Sequence, residues 1–410
     1  MNPETKTSDI VVIGSGHAGS TLVVELRKLG YEGSILLIGD EALEPYQRPP
    51  LSKTYLTGAV SAERLTLLSI EKMRDLKVEF LAKDPVLSIN RAACTVRLRS
   101  GLQIAYGQVA LTTGGRNRSM SVPGALANNV LSLRTIADAD RLRRLWCPGK
   151  RLVVIGGGFI GLEAAAVAIK AGLLITLLEA LPHVLSRVTV PYVSRFFERT
   201  HREAGVDIRT GVQVAQIDHG AQHSEVVLGD GSRLPADGIL IGVGMVPNVE
   251  LAQAGGLHCE NGICVDEFAR TSDPKIVAAG DCTNHPSTYA GKRLRLESVQ
   301  NAVDQSRVAA ATLVGQLRPY RVVPWFWSDQ YDLKFQTVGL SNGHDKCIVR
   351  GDSQTASFSV CYLSAGRLIA VDSVNRVQDH MQARKLIAES AMVDKERLAD
   401  IAQKLADCIL

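Results

Sequence analysis

The feature of this sequence that most constrains its fold is a duplicated glycine-rich unit. The segments IVVIGSGHAGSTLVVEL (10–26) and LVVIGGGFIGLEAAAVA (152–168) align without a gap. Each begins as an apolar run rich in β-branched residues, continues as GxGxxG, and ends as an apolar segment with helical spacing. A second apolar run follows each unit and ends in an acid, Asp40 in the first copy and Glu179 in the second. This order of strand, glycine turn, helix and strand predicts two doubly wound α/β domains.

Each glycine of the repeated unit has its own physical role. The first permits a tight turn from strand to helix, the second lets the backbone approach a diphosphate, and the third lets helix and strand pack closely. The N–H groups at the start of the helix attract the diphosphate, and the following acid accepts hydrogen bonds from a ribose. One such motif is weak support, but two in the same context predict two Rossmann-like dinucleotide-binding domains. These glycines are Gly14, Gly16 and Gly19 in the first copy and Gly156, Gly158 and Gly161 in the second.

Length and composition limit the classes of protein to which this chain can belong. A chain of 410 residues is long enough for two or three domains. Its net charge of +4 is too small for a nucleic-acid-binding surface, although it would help to attract an acidic protein partner. The eight cysteines show no CxxC or Cys/His metal spacing, so no metal site is predicted. We find neither a leader pattern at the start nor an apolar run long enough to span a membrane, and expect a cytoplasmic protein.

Further motifs resemble a known family. In chain order they are YQRPPLSK (46–53), TTGGR (112–116), GMVPN (244–248), AAGDC (278–282) and PWFWSDQY (324–331). In combination and order they are similar to the FAD- and NADH-dependent ferredoxin reductases of the putidaredoxin-reductase and biphenyl-dioxygenase-reductase types. These reductases belong to the glutathione-reductase-like flavoprotein superfamily. The resemblance covers essentially the whole chain.

The resemblance implies a division into three domains. They are an FAD-binding domain from 8–117 and 247–323, an NADH-binding domain at 118–246, and a C-terminal α+β domain at 324–410. The tail agrees with this division, because the runs KFQTVGL, KCIVRG, ASFSVCYL and RLIAVDSV are separated by turn signals and predict a small antiparallel sheet. Helical patterns near 378–391 and 394–407 are expected to close the chain.

By resemblance, the first glycine turn binds FAD. The residues implied for FAD are Gly14, Gly16, Ala18, Gly19, Asp40, Arg48, Lys53, Val86, Arg134, Asp281, Val299 and Trp327. Asp281 lies in AAGDC, which is expected to end a strand and begin a helix, and it would meet the ribityl chain. Plain core packing stays open for Val86, and a surface ion pair stays open for Arg134.

The second glycine turn is assigned to NADH. The residues implied are Gly156, Gly158, Phe159, Ile160, Gly161, Glu179 and Gly244. The residues ALPHV after Glu179 contain no arginine that could meet a 2′-phosphate, so we expect NADH to be preferred over NADPH. By resemblance, Lys53 approaches the flavin N5 atom and pairs with Glu163, which gives both residues a catalytic role. A solvated surface lysine and an ordinary helix glutamate are the alternatives.

Two of the three tryptophans flank Phe326 in the late segment PWFWSDQY. If this segment is extended, Trp325 and Trp327 project to one face and Phe326 to the other. By resemblance, Trp327 lies against the flavin on the side opposite the nicotinamide and acts in electron transfer. Ordinary core packing is the alternative for both tryptophans.

The predicted function is that of an NADH:ferredoxin oxidoreductase that passes electrons from NADH through FAD to an acidic [2Fe–2S] ferredoxin. That ferredoxin would serve a cytochrome P450 or an aromatic-ring dioxygenase. Basic residues expected near the docking site are Arg307, Arg295 and Lys334, with Lys292 and Arg293 as companions. A rubredoxin reductase and a non-enzymatic flavoprotein like apoptosis-inducing factor stay open as alternatives.

Disulfide chemistry is disfavoured. Cys259 and Cys264 have CxxxxC spacing, but they lie far downstream of the position that the redox disulfide occupies in thiol reductases. No cysteine precedes Cys94, which also disfavours an NADH oxidase or peroxidase.

Overall fold

A computed structural model describes residues 6–127, 129–220 and 223–410. The strands are β1 Lys6–Ile13, β2 Ile35–Ile38, β3 Val78–Leu81, β4 Val86–Asn90, β5 Thr95–Leu98, β6 Gln103–Leu111, β7 Gly115–Asn117, β8 Val130–Leu131, β9 Arg151–Ile155, β10 Leu174–Glu179, β11 Asp207–Thr210, β12 Val214–His219, β13 Ser224–Leu228, β14 Arg233–Ala236, β15 Gly238–Ile241, β16 Met245–Pro247, β17 Ile263–Cys264, β18 Ile276–Ala278, β19 Thr283–Ser287, β20 Lys292–Leu294, β21 Trp325–Gln330, β22 Leu333–Gly339, β23 Lys346–Asp352, β24 Ser357–Ser364 and β25 Arg367–Val374.

The α-helices are α1 His17–Lys28, α2 Ile70–Asp75, α3 Ile136–Arg143, α4 Phe159–Lys170, α5 Pro191–Glu203, α6 Glu250–Ala254, α7 Val299–Leu313, α8 Val377–Ala388 and α9 Lys395–Ala399. Short 3-10 helices lie at Pro49–Ser52, Ala62–Leu65, Ser353–Thr355 and Leu405–Cys408. Among the described residues, no helix combines the length and the apolar character needed to cross a membrane.

The chain forms two compact units, each assembled from separate segments. Unit 1 contains the described residues of Met1–Gln47, Leu65–Arg116 and Val246–Pro324, and unit 2 contains Arg48–Arg64, Asn117–Met245 and Trp325–Leu410.

Unit 1 is built on a mostly parallel sheet. The order is β3-β2-β1-β6, with β1 parallel to both β2 and β6. Along its other edge β6 pairs with antiparallel β5 and with parallel β18. The run Ile10–Ile13 is buried throughout because helices and loops cover both faces of a parallel sheet. Helices α1 and α7 contact each other within this unit.

Unit 2 contains the second nucleotide-type sheet, whose order β11-β10-β9-β15-β8 is parallel throughout. The strand before the second glycine turn, β9, therefore lies at the centre of its sheet. An antiparallel three-stranded sheet, β12-β13-β14, accompanies it.

Unit 2 also contains the sheet at the C-terminal end of the chain, with order β21-β22-β25-β24-β23 and antiparallel pairing. The predicted tail sheet is thus confirmed, with β21, which carries the two tryptophans, at one edge. Helix α8 lies against β25 and β22 of this sheet.

The second tail helix, expected near 394–407, is wrong in length. Helix α9 ends at Ala399, and Asp400 has an extended backbone with ψ of 112°. The buried Arg350 guanidinium explains the stop, since it donates to the carbonyl oxygens of Leu398, Asp400 and Gln403. The guanidinium thereby supplies donors to carbonyl groups at and beyond the helix end, where intrahelical partners are missing.

The helix expected directly after AAGDC is wrong as well. Strand β18 ends at Ala278, and the chain then forms the hairpin β19–β20. Helix α7 begins only after Ser298, whose hydroxyl oxygen accepts a hydrogen bond from the Asn301 backbone N–H. A serine at this position satisfies an otherwise unpaired N–H group of the first turn, so the helix starts there.

Candidate functional site

In unit 1 the first glycine turn has the geometry that the motif predicts. Gly14 has φ of +109°, and a Cβ there would lie 2.3 Å from the carbonyl oxygen of Thr112. A Cβ on Gly19 would lie 1.9 Å from the Gly14 carbonyl oxygen. These two glycines are therefore required by the packing of β1, α1 and the end of β6.

In unit 2 the second turn repeats this geometry. Gly156 has φ of +113°, and a Cβ there would lie 2.4 Å from the Gly242 carbonyl oxygen. A Cβ on Gly161 would lie 2.1 Å from the Gly156 carbonyl oxygen. The first and third glycines of the two motifs thus have the same backbone geometry and the same close contacts.

The second glycine of each motif differs from the first and third in what surrounds it, and its surroundings show whether a nucleotide could fit there. A Cβ on Gly16 or Gly158 would meet no heavy atom within 4 Å, so the protein's own packing requires neither glycine. Both are N-cap residues, and no side chain caps helix α1 or α4. Each turn therefore presents helix N–H groups and a stretch of backbone without a side chain, which fits a diphosphate. Ala18 is the second residue of α1 and is buried.

The two ribose-assigned acids have different surroundings. Glu179 is buried, and its carboxylate accepts hydrogen bonds from the backbone N–H of Gly157 at 2.7 Å and of Leu181 at 2.9 Å. It therefore fixes the second glycine turn in addition to any contact with a ligand. Asp40 follows β2 and is exposed.

The most informative cluster in unit 2 is centred on Glu163 of helix α4. Its side chain is 2% exposed, and its Oε2 atom lies 2.7 Å from the Lys53 ammonium nitrogen, which is 17% exposed. Ser52 donates to the same oxygen, and Ser328 donates to Oε1 at 2.6 Å. The predicted pairing of Lys53 with Glu163 is thus present, and a solvated surface lysine is the wrong alternative.

Burial and hydrogen bonding act in opposite directions on this carboxyl group. Burial raises the pKa of Glu163 above its ordinary value, and the Lys53 ammonium and the two serine hydroxyls offset only part of that rise. An ammonium at 2.7 Å and three donors in all favour the ionised carboxylate. The cluster therefore holds a charged lysine in a largely buried place.

The local structure explains why these residues meet. Lys53 follows the 3-10 helix Pro49–Ser52, which contacts α4. Glu163 lies four residues into α4 after Phe159, and that helix also contacts β21. Helix α4 therefore carries the nucleotide turn at its start and the lysine partner one turn later.

Strand β21 confirms the predicted alternation of its side chains. The Trp325 and Trp327 rings are 5.6 Å apart on one face, while the Phe326 ring lies 4.6 Å from that of Phe159 on the other. Because Phe159 packs there, its expected contribution to a nucleotide would come from its backbone N–H. Ile160 is 42% exposed.

Residues of the predicted set that lie in unit 1 also have defined positions. Asp281 follows β18, and its carbonyl oxygen lies 3.5 Å from Arg295 Nη1. Val299 is the first residue of α7, where backbone N–H groups lack intrahelical partners. Val86 begins β4, is half-buried, and packs against an apolar core, so its alternative stays open.

The remaining predicted residues of unit 2 are connected as follows. Arg48 donates to the Arg134 carbonyl oxygen at 2.7 Å, which joins the loop before Lys53 to the segment before α3. Gly244 has φ of +104°, and its carbonyl oxygen accepts from the Arg118 backbone N–H.

The docking residues differ in availability. Arg307 is 53% exposed and pairs with Asp304, and Lys334 is exposed. The Arg295 side chain is only 12% exposed and pairs with Glu297. All eight cysteines are free thiols, including Cys259 and Cys264.

Sequence reasoning missed four polar residues that contact Glu163 or continue its hydrogen bonds, namely Ser52, His201, Ser328 and Gln330. Each is at most 2% exposed. For Ser328 and Gln330 a signal was present, because period-two alternation places them on the buried Phe326 face of β21. For His201, the helical spacing after Val193 and Phe197 indicates a buried position on α5 but not its hydrogen-bond partner.

Comparisons with known proteins cover nearly the whole chain. Residues 8–306 match the family described as pyridine nucleotide-disulphide oxidoreductase, and residues 325–409 match the one described as reductase C-terminal. The sequence is 44% identical over 407 residues to putidaredoxin reductase of Pseudomonas putida, covering 98% of this chain and 96% of that protein. It is 43% identical over 395 residues to the 5,5'-dehydrodivanillate O-demethylase ferredoxin reductase subunit of a Sphingobium species, with 96% coverage of each.

A solved structure is equally similar. The crystal structure of the covalent putidaredoxin reductase–putidaredoxin complex matches with a TM-score of 0.93 at 44% identity over 96% of both chains. The resemblance, the fold class and the cofactors FAD and NAD(H) predicted from the motifs are thereby confirmed. The domain boundaries and the roles of individual site residues stay predictions.

Proposed function

Because the chain belongs to the pyridine nucleotide-disulphide oxidoreductase family, we propose that it is an FAD-dependent NADH:ferredoxin reductase. The observation that carries this proposal is the buried pair of Lys53 and Glu163 on the helix that begins at the second glycine turn. A charged lysine held beside a nucleotide turn suits hydride transfer to an acceptor that becomes negatively charged.

Each group of residues has a proposed task. FAD, when bound, would accept a hydride from NADH and release electrons one at a time, as a [2Fe–2S] acceptor requires. The N-termini of α1 and α4 would hold the two diphosphates. Glu163 keeps Lys53 charged and directed, and Lys53 would lie near the flavin N5 atom. Trp327 would cover the flavin on the side from which electrons leave.

We propose the domain division 8–117 with 247–323, 118–246, and 324–410 for these tasks. The boundary near 324 is supported by the start of the second family match at residue 325. Location in a reducing cytoplasm is part of the proposal, and the eight free thiols support it.

The proposal is tested by anaerobic mixing of the flavin-loaded protein with NADH, followed by transfer to purified ferredoxins. We expect rapid bleaching of the flavin and cytochrome c reduction that depends on an added [2Fe–2S] ferredoxin. Turnover only with rubredoxin would favour a rubredoxin reductase. Slow reduction with a long-lived charge-transfer complex would favour a signalling flavoprotein.

A lysine variant tests the site itself. Lys53→Met should slow flavin reduction much more than it weakens NADH binding, whereas Lys72→Met, at a lysine that is 60% exposed, should change neither. An unchanged reduction rate in Lys53→Met would remove the proposed role of Lys53.

We further propose that an acidic [2Fe–2S] ferredoxin docks near Arg307, Arg295 and Lys334. Arg307 gives the sharpest test because it is more than half exposed, whereas Arg295 is held by Glu297. Arg307→Glu should raise the KM for ferredoxin at low salt and leave flavin reduction by NADH unchanged. Lys28→Glu, at a lysine that is 65% exposed, is the control for a general change in net charge.

A further inference from the structure

A line of buried hydrogen bonds leads away from Glu163 within unit 2. Ser328 Oγ lies 2.6 Å from Glu163 Oε1 and 3.2 Å from Gln330 Nε2. Gln330 Oε1 lies 2.9 Å from His201 Nε2, and His201 Nδ1 lies 3.0 Å from the Tyr331 hydroxyl. Glu163, Ser328, Gln330 and His201 are each at most 2% exposed, so solvent does not replace the bonds among these four residues.

The direction of each bond follows from the chemistry of its two ends. An ionised Glu163 carboxylate can only accept, so the Ser328 hydroxyl must donate to it. Ser328 Oγ then accepts from the Gln330 amide N–H, and the amide oxygen of Gln330 must accept from His201. His201 is therefore protonated on Nε2, and its Nδ1 accepts from the Tyr331 hydroxyl.

The outer end of the line supports this direction. Burial lowers the pKa of His201 to about 4, so the ring is neutral near pH 7 and carries a single N–H. Burial raises the pKa of Tyr331, which therefore keeps the proton that it donates. The charged groups that face the two ends are the Lys53 ammonium at Glu163 and the Lys170 ammonium, 5.4 Å from the centre of the Tyr331 ring.

The opposite direction would require a different charge on Glu163. If His201 carried its proton on Nδ1, Nε2 would accept from the Gln330 amide, and the amide oxygen would face Ser328. The Ser328 hydroxyl would then donate to Gln330 and leave no proton between Ser328 and Glu163. That bond could form only if Glu163 were protonated, so the tautomer of His201 and the charge of Glu163 are linked.

We infer that His201 is a positioning residue whose Nε2–H, acting through Gln330 and Ser328, directs a hydroxyl proton at Glu163 and keeps Glu163 ionised beside Lys53. Hydrogen bonds that all point in one direction polarise one another, which strengthens the donor at the end of the line. The influence of His201 on flavin reduction rests on the proposed function, whereas its influence on Glu163 does not.

The first measurement addresses the direction of the line. The nitrogen chemical shifts of His201 in ¹⁵N-histidine-labelled holoprotein report which ring nitrogen carries the proton, and the His201→Phe spectrum assigns the signals. We expect the Nε2–H tautomer between pH 6 and 8. An Nδ1–H tautomer or an imidazolium in this range would overturn the inference.

The second measurement addresses Glu163. The infrared band of a protonated carboxyl group, assigned with Glu163→Gln, gives the titration midpoint of Glu163 in each variant. One hydrogen bond to a charged group corresponds to about one pH unit, so Ser328→Ala should raise the midpoint by about that much and His201→Phe by less. An unchanged midpoint in both variants would overturn the inference.

Two comparisons separate positioning from simple loss of packing. His201→Gln supplies an amide N–H that can donate to Gln330, and it should restore part of the shift that His201→Phe causes. Ser194→Ala removes a fully buried hydroxyl on the same helix that has no hydrogen-bond partner among the described residues, and it should leave the midpoint unchanged. A shift in Ser194→Ala as large as in His201→Phe would indicate packing alone. Neither spectroscopic measurement needs turnover, so failure of the proposed reductase activity would be recognised separately.

Discussion

Removing the Lys53 ammonium should make the stability of unit 2 strongly dependent on pH. In Lys53→Met, Glu163 would keep its two serine donors but lose the only positive charge beside it among the described residues. A buried charge without its partner costs about 3–5 kcal/mol, and the 17% exposure of Lys53 places the expected loss at about 3 kcal/mol.

The variant can avoid this cost by protonating Glu163. Burial already raises the pKa of Glu163 above its ordinary value, and loss of the ammonium raises it further. A carboxyl group with a raised pKa binds more protons in the folded than in the unfolded state. The free energy of unfolding is therefore unaffected by this group at low pH, where it is protonated in both states. As pH rises from the unfolded towards the folded pKa, the free energy of unfolding falls by about 1.4 kcal/mol per pH unit. We expect Lys53→Met to be close to the unchanged protein at pH 5 and about 3 kcal/mol less stable at pH 8.

Urea denaturation followed by tryptophan fluorescence measures this loss, since Trp146, Trp325 and Trp327 all lie in unit 2. The control is the double variant Lys53→Met with Glu163→Gln, which has no ionisable group at the site. It should be less dependent on pH than Lys53→Met and more stable than that variant at pH 8. Equal stability of the single and double variants at pH 8 would refute the reasoning, because it would mean that the charge of Glu163 does not matter.

Three further predictions follow from the glycine turns, the ribose acid and Arg350. Gly19→Ala should prevent folding because its Cβ would lie 1.9 Å from the Gly14 carbonyl oxygen. Gly16→Ala should fold, but titration of the apoprotein should show that it binds FAD at least about tenfold more weakly. The kcat/KM for NADH should exceed that for NADPH by at least about tenfold, since a carboxylate at Glu179 repels a 2′-phosphate; comparable values would contradict this. Arg350→Met should lower the free energy of unfolding by about 3–5 kcal/mol, because Asp379 and three carbonyl groups lose a buried donor. The control Lys346→Met, at an exposed position of the same strand, should have little effect on it.

Much of the fold could be predicted because its signals are local. The apolar runs of β1 and β9 and the glycines that follow them specify the strand-to-helix turns through backbone geometry, which depends on adjacent residues. The alternation in β21 likewise indicated which side chains share a face. The two errors occurred where a distant contact overrides local preference: Arg350 ends α9 early, and the hairpin β19–β20 occupies the place where a helix was expected.

The spacing of the glycines was sufficient to predict two nucleotide turns and the residues that form them. The folded structure was needed to find that Ser52 and Ser328 contact Glu163 and that Gln330 and His201 continue the hydrogen bonds beyond Ser328. Sequence periodicity indicates which face of a helix or strand is buried, but it does not indicate which other element packs against that face. Glu163 accepts hydrogen bonds from Ser52 and from Ser328 of β21, which lie far away along the chain, and these contacts exist only once the segments have packed against α4.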